Sequence, residues 1–138
     1  PSGNGVMVGN LARLFFITGN IDYKKSAEKT ISAFSGELSE NFFPLATLLN
    51  SAEFFQCAVQ IVIIGYRKEP KCKEFLKGLF SANIPNRVIS VIDPRLELPE
   101  NHPAFRKRQM SGSTTAYVCI GHTCSLPITD PIELNKMF

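Results

Sequence analysis

Two runs of β-branched residues constrain this chain more than anything else in it. Val59 to Gly65 reads VQIVIIG, and Val88 to Ile92 reads VISVI. Each has the length and composition of a buried strand. Residues 70–83 lie between them on a helical period, with Cys72, Phe75, Leu76, Leu79 and Phe80 inward and Asn83 and Pro85 as the stop. Strand, helix and strand in that order make one right-handed crossover with parallel strands.

Upstream of Cys57 the apolar period is helical instead. Residues 5–18 place Val8, Leu11, Leu14, Phe15 and Thr18 on one face, with Met7 beside them. Ser2 or Asn4 can cap this helix, and Gly19 can end it in a left-handed turn. A second helix is predicted over 22–35, with Tyr23, Ala27, Thr30, Ile31 and Phe34 on one face and Gly36 ending it. Pro44 suits the first turn of a third helix running to Cys57, with Leu45, Leu48, Leu49, Ala52 and Phe55 inward. Three helices make a poor closed bundle. Some of their apolar surface is expected to face the rest of a parent chain, or a second copy, through residues such as Leu14, Phe15, Phe42 and Phe43. The chain opens on Pro1 at a helix start, so a fragment of a longer protein is expected.

Residues 93–113 read as a loop, with Pro94, Pro99 and Pro103 and the basic triplet Arg106-Lys107-Arg108. Ala116 to Ile120 forms a third short strand, and Asp130 caps a last helix that starts at Pro131 and runs to Phe138. The expected fold is therefore mixed α and β. Helical hairpins over 1–57 precede a small α/β unit over 58–138, with a three-stranded, mainly parallel sheet.

At 44% hydrophobic and 20% charged residues the chain is a folded one. Its net charge of +3 is scattered, so the triplet reads first as a solvated loop, with a weak anion or nucleic-acid surface as the alternative. No nucleic-acid partner is expected. No apolar run approaches the roughly 20 residues of a membrane span, and the first residues lack a signal-peptide pattern. A cytoplasmic protein with reduced thiols is the resulting expectation.

Chemistry-bearing motifs are few. IIGYRKEPK holds the single glycine Gly65, where a dinucleotide or Walker loop needs a glycine-rich phosphate cradle. Glu37, Glu40 and Glu53 read as solvated helix residues. The stretch AYVCIGHTCSLPITD carries Cys119, His122 and Cys124 between Tyr117 and Asp130. A zinc site would need a second close pair of ligands, and Cys57, Cys72 and His102 do not supply one. A thioredoxin-type pair has two intervening residues at a helix start, whereas here four intervene after a strand. A redox pair stays open. The favoured reading is structural: Cys119 ends a buried strand, Cys124 lies in the loop to the final helix, and both are reduced, with no metal or cofactor. Ser2, Gly3 and Asn4 are candidates to face a polar ligand through free helix-start N–H groups, with a plain helix cap as the alternative.

The order and spacing of Pro1-Ser2-Gly3-Asn4, Thr18-Gly19-Asn20 with Tyr23 and Ala27, Val62 to Gly65, Pro85-Asn86, and Tyr117-Val118-Cys119…Thr123-Cys124…Pro127…Asp130-Pro131 carry a resemblance. The chain resembles the C-terminal end of the YyaL-like, thioredoxin-domain-containing proteins, the spermatogenesis-associated protein 20 family. Gly5 departs from it, since the family more often has Ser there. The resemblance implies an N-terminal thioredoxin-like domain, then an (α/α)6 toroid similar to six-hairpin glycosidases and sugar epimerases, then a small α/β end. This chain would hold the last toroid helices and that end. The excess of apolar helix faces beside a small α/β unit with no recognisable active-site set makes a non-catalytic structural portion the first expectation, with part of a toroid that binds or isomerises a sugar as the alternative.

Overall fold

The computed structural model describes residues 2–40 and 43–138. Pro1 and Phe42 lie outside the described residues. The chain divides into two compact units, residues 1–58 with 101–103, and residues 59–100 with 104–138.

The first unit is helical: α1 (Gly3–Thr18), α2 (Ile21–Ala33), α3 (Ser35–Glu40), a 3-10 turn (Phe43–Leu45) and α4 (Ala46–Cys57). Ser2 caps α1, its hydroxyl accepting from the Gly5 N–H at 3.3 Å. Gly19 ends α1 at φ 71, a left-handed turn that glycine adopts without Cβ cost. Asn20 caps α2 by accepting from the Asp22 N–H at 2.9 Å. The buried face of α1 is Gly5, Val8, Gly9 and Ala12. That differs from the expected stripe: Leu14 is 41% and Met7 56% exposed. Small residues let α1 approach α4 closely, so the contact is narrow and the bulky side chains flank it. Val8, Ala27 and Leu48 form the fully buried centre of this unit. Gly36, expected to end α2, instead lies inside the short α3.

The second unit contains β1 (Val59–Ile64), α5 (Pro70–Ser81), β2 (Arg87–Ile92), β3 (Thr115–Ile120), β4 (Thr123–Cys124) and α6 (Pro131–Asn135). The sheet has four strands in the order β2-β1-β3-β4. β1 and β2 are parallel, Val59 facing Arg87 and Ile64 facing Ile92, as the crossover demands. β1 and β3 are antiparallel, with Ile64 opposite Thr115. The three-stranded, mainly parallel sheet expected from the sequence is thus corrected to a mixed, four-stranded one. The cause is the connection. A parallel third strand needs a crossover back to the starting edge. The loop after β2 contains no such helix, so β3 enters from the edge where β1 and β2 end.

Side chains alternate along each strand. Ile61 and Ile63 of β1 join Ala116 and Val118 of β3 on one face, under Phe75 and Leu79 of α5 and Leu134 of α6. Val62, Ile64 and Tyr117 point to the other face, where Ala104 and Leu98 of the long loop cover them. β2 is an edge strand in which only Val88 is buried, which tempers the expectation of a second buried strand. Phe80, expected inward, is 63% exposed, with the Arg87 guanidinium 5.5 Å from its ring centre. Arg87 is held there by the carbonyls of Leu79 and Ala82 at 2.9 and 3.0 Å. The last helix stops at Asn135, short of Phe138.

Candidate functional site: the β3–β4 hairpin and a cleft at the other end of β1

Ile120 and Thr123 pair across a tight turn whose first central residue, Gly121, has φ 58. A glycine with positive φ at that position matches the turn geometry that suits the twist of a two-stranded hairpin. The next pair inward is Cys119 and Cys124. In a hairpin of this length that pair is the closely spaced, non-hydrogen-bonded kind. Their Cα atoms are 4.0 Å apart, and the sulfurs are joined. The reduced thiols expected from the sequence are therefore corrected to a disulfide, and Cys124 sits on a strand rather than in a loop. The physical reason is register: four intervening residues suffice for a turn with one paired residue on either side, which places the two Cβ atoms together.

Cys119 is 4% exposed, whereas Cys124 and His122 lie on the surface. Ser125 continues the hairpin, its N–H donating to the Val118 carbonyl at 2.7 Å and its hydroxyl accepting from the Val118 N–H at 3.1 Å. Asp130 caps α6, accepting from the Ile132 N–H at 2.8 Å. Among the described residues no group of three or more His, Cys, Asp or Glu side chains is placed to hold a metal ion. Cys57 is exposed at the end of α4, and Cys72 is buried on α5, where burial pushes its thiol pKa up.

Tyr117 has a task the sequence reading missed. Its hydroxyl donates to the Arg108 carbonyl at 2.7 Å and accepts from the Arg108 N–H at 3.4 Å. A lone tyrosine in an aliphatic strand signals that its hydroxyl needs a partner. That partner is nine residues upstream, in the basic triplet. On the same unit, Thr114 donates to the Glu69 carboxylate at 2.8 Å, and the Lys71 ammonium donates to the Ser113 hydroxyl at 2.7 Å.

A cleft of about 910 Å³ lies outside the C-terminal end of β1, between Ile64, the segment after β2 and the triplet. Crevices at the carboxyl ends of parallel strands are where α/β sheets commonly take ligands. Arg95 at its rim makes a two-point pair with Asp93, at 3.0 and 2.7 Å. Those hydrogen bonds hold the Asp93 carboxyl down at about 2.

The candidates are divided between the two units. Ser2 is consumed as a cap, and Gly3 and Asn4 are exposed in the first turn of α1 in the helical unit. Tyr117, Cys119, His122, Cys124 and Asp130 belong to the sheet unit.

Fold and hairpin together define a mixed α and β chain: a helical unit and a small mixed sheet whose edge hairpin is closed by a disulfide. The chain belongs to the spermatogenesis-associated protein 20 family. It is 34% identical to human spermatogenesis-associated protein 20, 32% to the rat protein and 31% to the mouse protein, over 99% of its own length. It spans 18% of the length of each of these curated relatives. No family model matches it, and no solved structure does. No helix among the described residues is long and apolar enough to cross a membrane.

Proposed function

We propose that this chain is a non-catalytic structural portion of a longer, multidomain, cytosolic protein, its helices completing an (α/α)6 toroid downstream of a thioredoxin-like domain. The observation that carries this is the apolar surface on the helical unit. Val6, Met7, Leu14, Ile17 and Ile21 are 41–56% exposed, and Phe43 is 81% exposed. Water penalises such surface by roughly 25 cal/mol per Å². Further toroid helices, or a second copy of this chain, would cover it. On this reading the boundary between toroid and α/β end falls near residue 57. Assays of the chain against sugars and disulfide substrates test the proposal, and turnover by the chain alone overturns it. Light scattering tests the covered face. A well-behaved monomer at high concentration removes the self-association arm.

The disulfide favours a second reading, a thiol redox module. A dithiol donor would reduce the Cys119–Cys124 bond to two thiols and would itself leave as a disulfide, with exposed Cys124 as the sulfur attacked first. Reversible reduction at cytosolic potentials supports this reading, and a bond that resists such reduction removes it. For the sugar-binding alternative, Asn4 is the residue left free to face a ligand, because the Ser2 hydroxyl is occupied by its cap. Unchanged saccharide binding in Asn4→Ala of the full-length parent takes Asn4 out of any such site.

A further inference from the structure

Arg106 and Arg108 of the basic triplet are exposed, as a solvated run would be, but the segment is held in place. The Tyr117 hydroxyl fixes the Arg108 backbone against β3. The Lys107 ammonium lies 5.9 Å from the centre of the Tyr117 ring, and burial lowers the Lys107 pKa. Arg106 adopts φ 66, in the left-handed region that non-glycine residues seldom occupy, with its guanidinium 5.3 Å from the Phe105 ring centre. The segment that carries these cations is thus a built wall of the cleft.

The charge of the cleft is one-sided. Arg106, Lys107 and Arg108 line it, against one lining carboxylate, Glu97, while Arg95 at the rim is already paired with Asp93. Gln109 lines it too, and its Nε2 is buried with no hydrogen-bond partner. Most buried donors in folded proteins are paired, with protein or with ordered water, so an amide nitrogen that finds no protein partner at a cleft wall stands out. Ile64, Leu98 and Ala104, which pack in one apolar cluster, also line the cleft and give it an apolar floor. The volume is that of a small-molecule site.

We propose that this cleft binds a small organic phosphate: the triplet takes the phosphate oxygens, the Gln109 amide donates a further hydrogen bond, and the floor takes the carbon skeleton. A phosphate monoester carries a charge of roughly −1.5 to −2 near neutral pH. That matches a cluster of cations better than a single carboxylate does, and arginine suits oxyanions with several acceptors.

Phenyl phosphate is the probe, titrated at low salt into the isotope-labelled 138-residue chain and followed by NMR. The expected result is saturable movement of the Gln109 side-chain amide signals, with inorganic phosphate competing. Benzoate, with the same ring and a carboxylate, should bind at least tenfold more weakly. Lys107→Met should weaken phenyl phosphate binding at least tenfold with an unchanged thermal midpoint. If that variant fails to fold, the Gln109 signals of the native chain decide alone. Three results overturn the proposal: Gln109 signals that stay put at millimolar phenyl phosphate, benzoate binding as tightly, or a single-stranded oligonucleotide held at the triplet that phenyl phosphate does not displace.

Discussion

A β-carbon placed on Gly5 would lie 2.6 Å from the Leu48 backbone nitrogen and 2.7 Å from the Thr47 carbonyl carbon. Contacts that close to backbone cannot be relieved by turning a side chain. This is the point where α1 meets the start of α4. Gly5→Ala should therefore destabilise the chain by about 1–3 kcal/mol, despite alanine's better helix propensity. Gly3, with nothing within 4 Å of its added carbon, is the control. Gly3→Ala should be neutral or stabilising by up to about 1 kcal/mol. Urea unfolding of both variants checks the pair, and a neutral Gly5→Ala would mean the helices stand further apart.

The hairpin disulfide makes a separate prediction. It closes a loop with a sequence separation of 5, for which chain entropy in the unfolded state gives about 2 kcal/mol. Thermal unfolding with and without a reductant should differ by that amount. Native-state thiol counting should find Cys57 promptly and Cys72 slowly, since Cys72 is buried and burial disfavours its thiolate. Rapid titration of all four cysteines in the native, unreduced chain would contradict the bond.

Tyr117→Phe tests the clamp on the triplet. The ring stays and the hydroxyl goes, leaving the Arg108 carbonyl and N–H to find water. A loss of about 1 kcal/mol is expected. Faster proteolysis at Arg106 to Arg108 should accompany it, read by mass spectrometry. Unchanged cleavage there would show that the loop is held by other contacts.

Asp93 and Arg95 give the pH-dependent prediction. The folded-state carboxyl titrates at about 2 instead of 3.8, because Arg95 donates to it. A depressed carboxylate contributes stability above its unfolded value, and that contribution is lost as pH falls from near 3.8 towards 2. The pair lies at the surface, with the Arg95 side chain 76% exposed and that of Asp93 32%, so screening keeps the effect small. NMR titration should place the Asp93 midpoint near 2, and Arg95→Ala should return it towards 3.8. A normal midpoint in the native chain would contradict the two-point geometry.

Local patterns were legible wherever one element decided the outcome. VQIVIIG could only be a strand, and Ser2, Gly19 and Asp130 serve as the punctuation their side chains suggest. The family was legible as well, and relatives 31–34% identical over 99% of the chain bear it out. What escaped was whatever depended on a partner far along the chain. The direction of β3 depends on where a long loop delivers it. Leu14 sits on a helical period with Val8, yet only close approach at Gly5 and Gly9 decides which of them is buried. β4 is two residues long, too short for any period, so the pairing of Cys119 with Cys124 went unread. Gln109 and the triplet acquire meaning only once Tyr117 reaches back to Arg108.

Asn101 to Pro103 pack with the helices although the residues on both sides of them pack with the sheet. Asn101 donates to the Gly19 carbonyl at 3.2 Å, spanning 82 positions of sequence. Each unit is therefore written in more than one piece of the gene. A single recombination junction placed at residue 58 would exchange the sheet while leaving the helices with a foreign plug at Gly19. The two units are consequently expected to be inherited together, and to tolerate exchange only when residues 101–103 travel with the helices they fit.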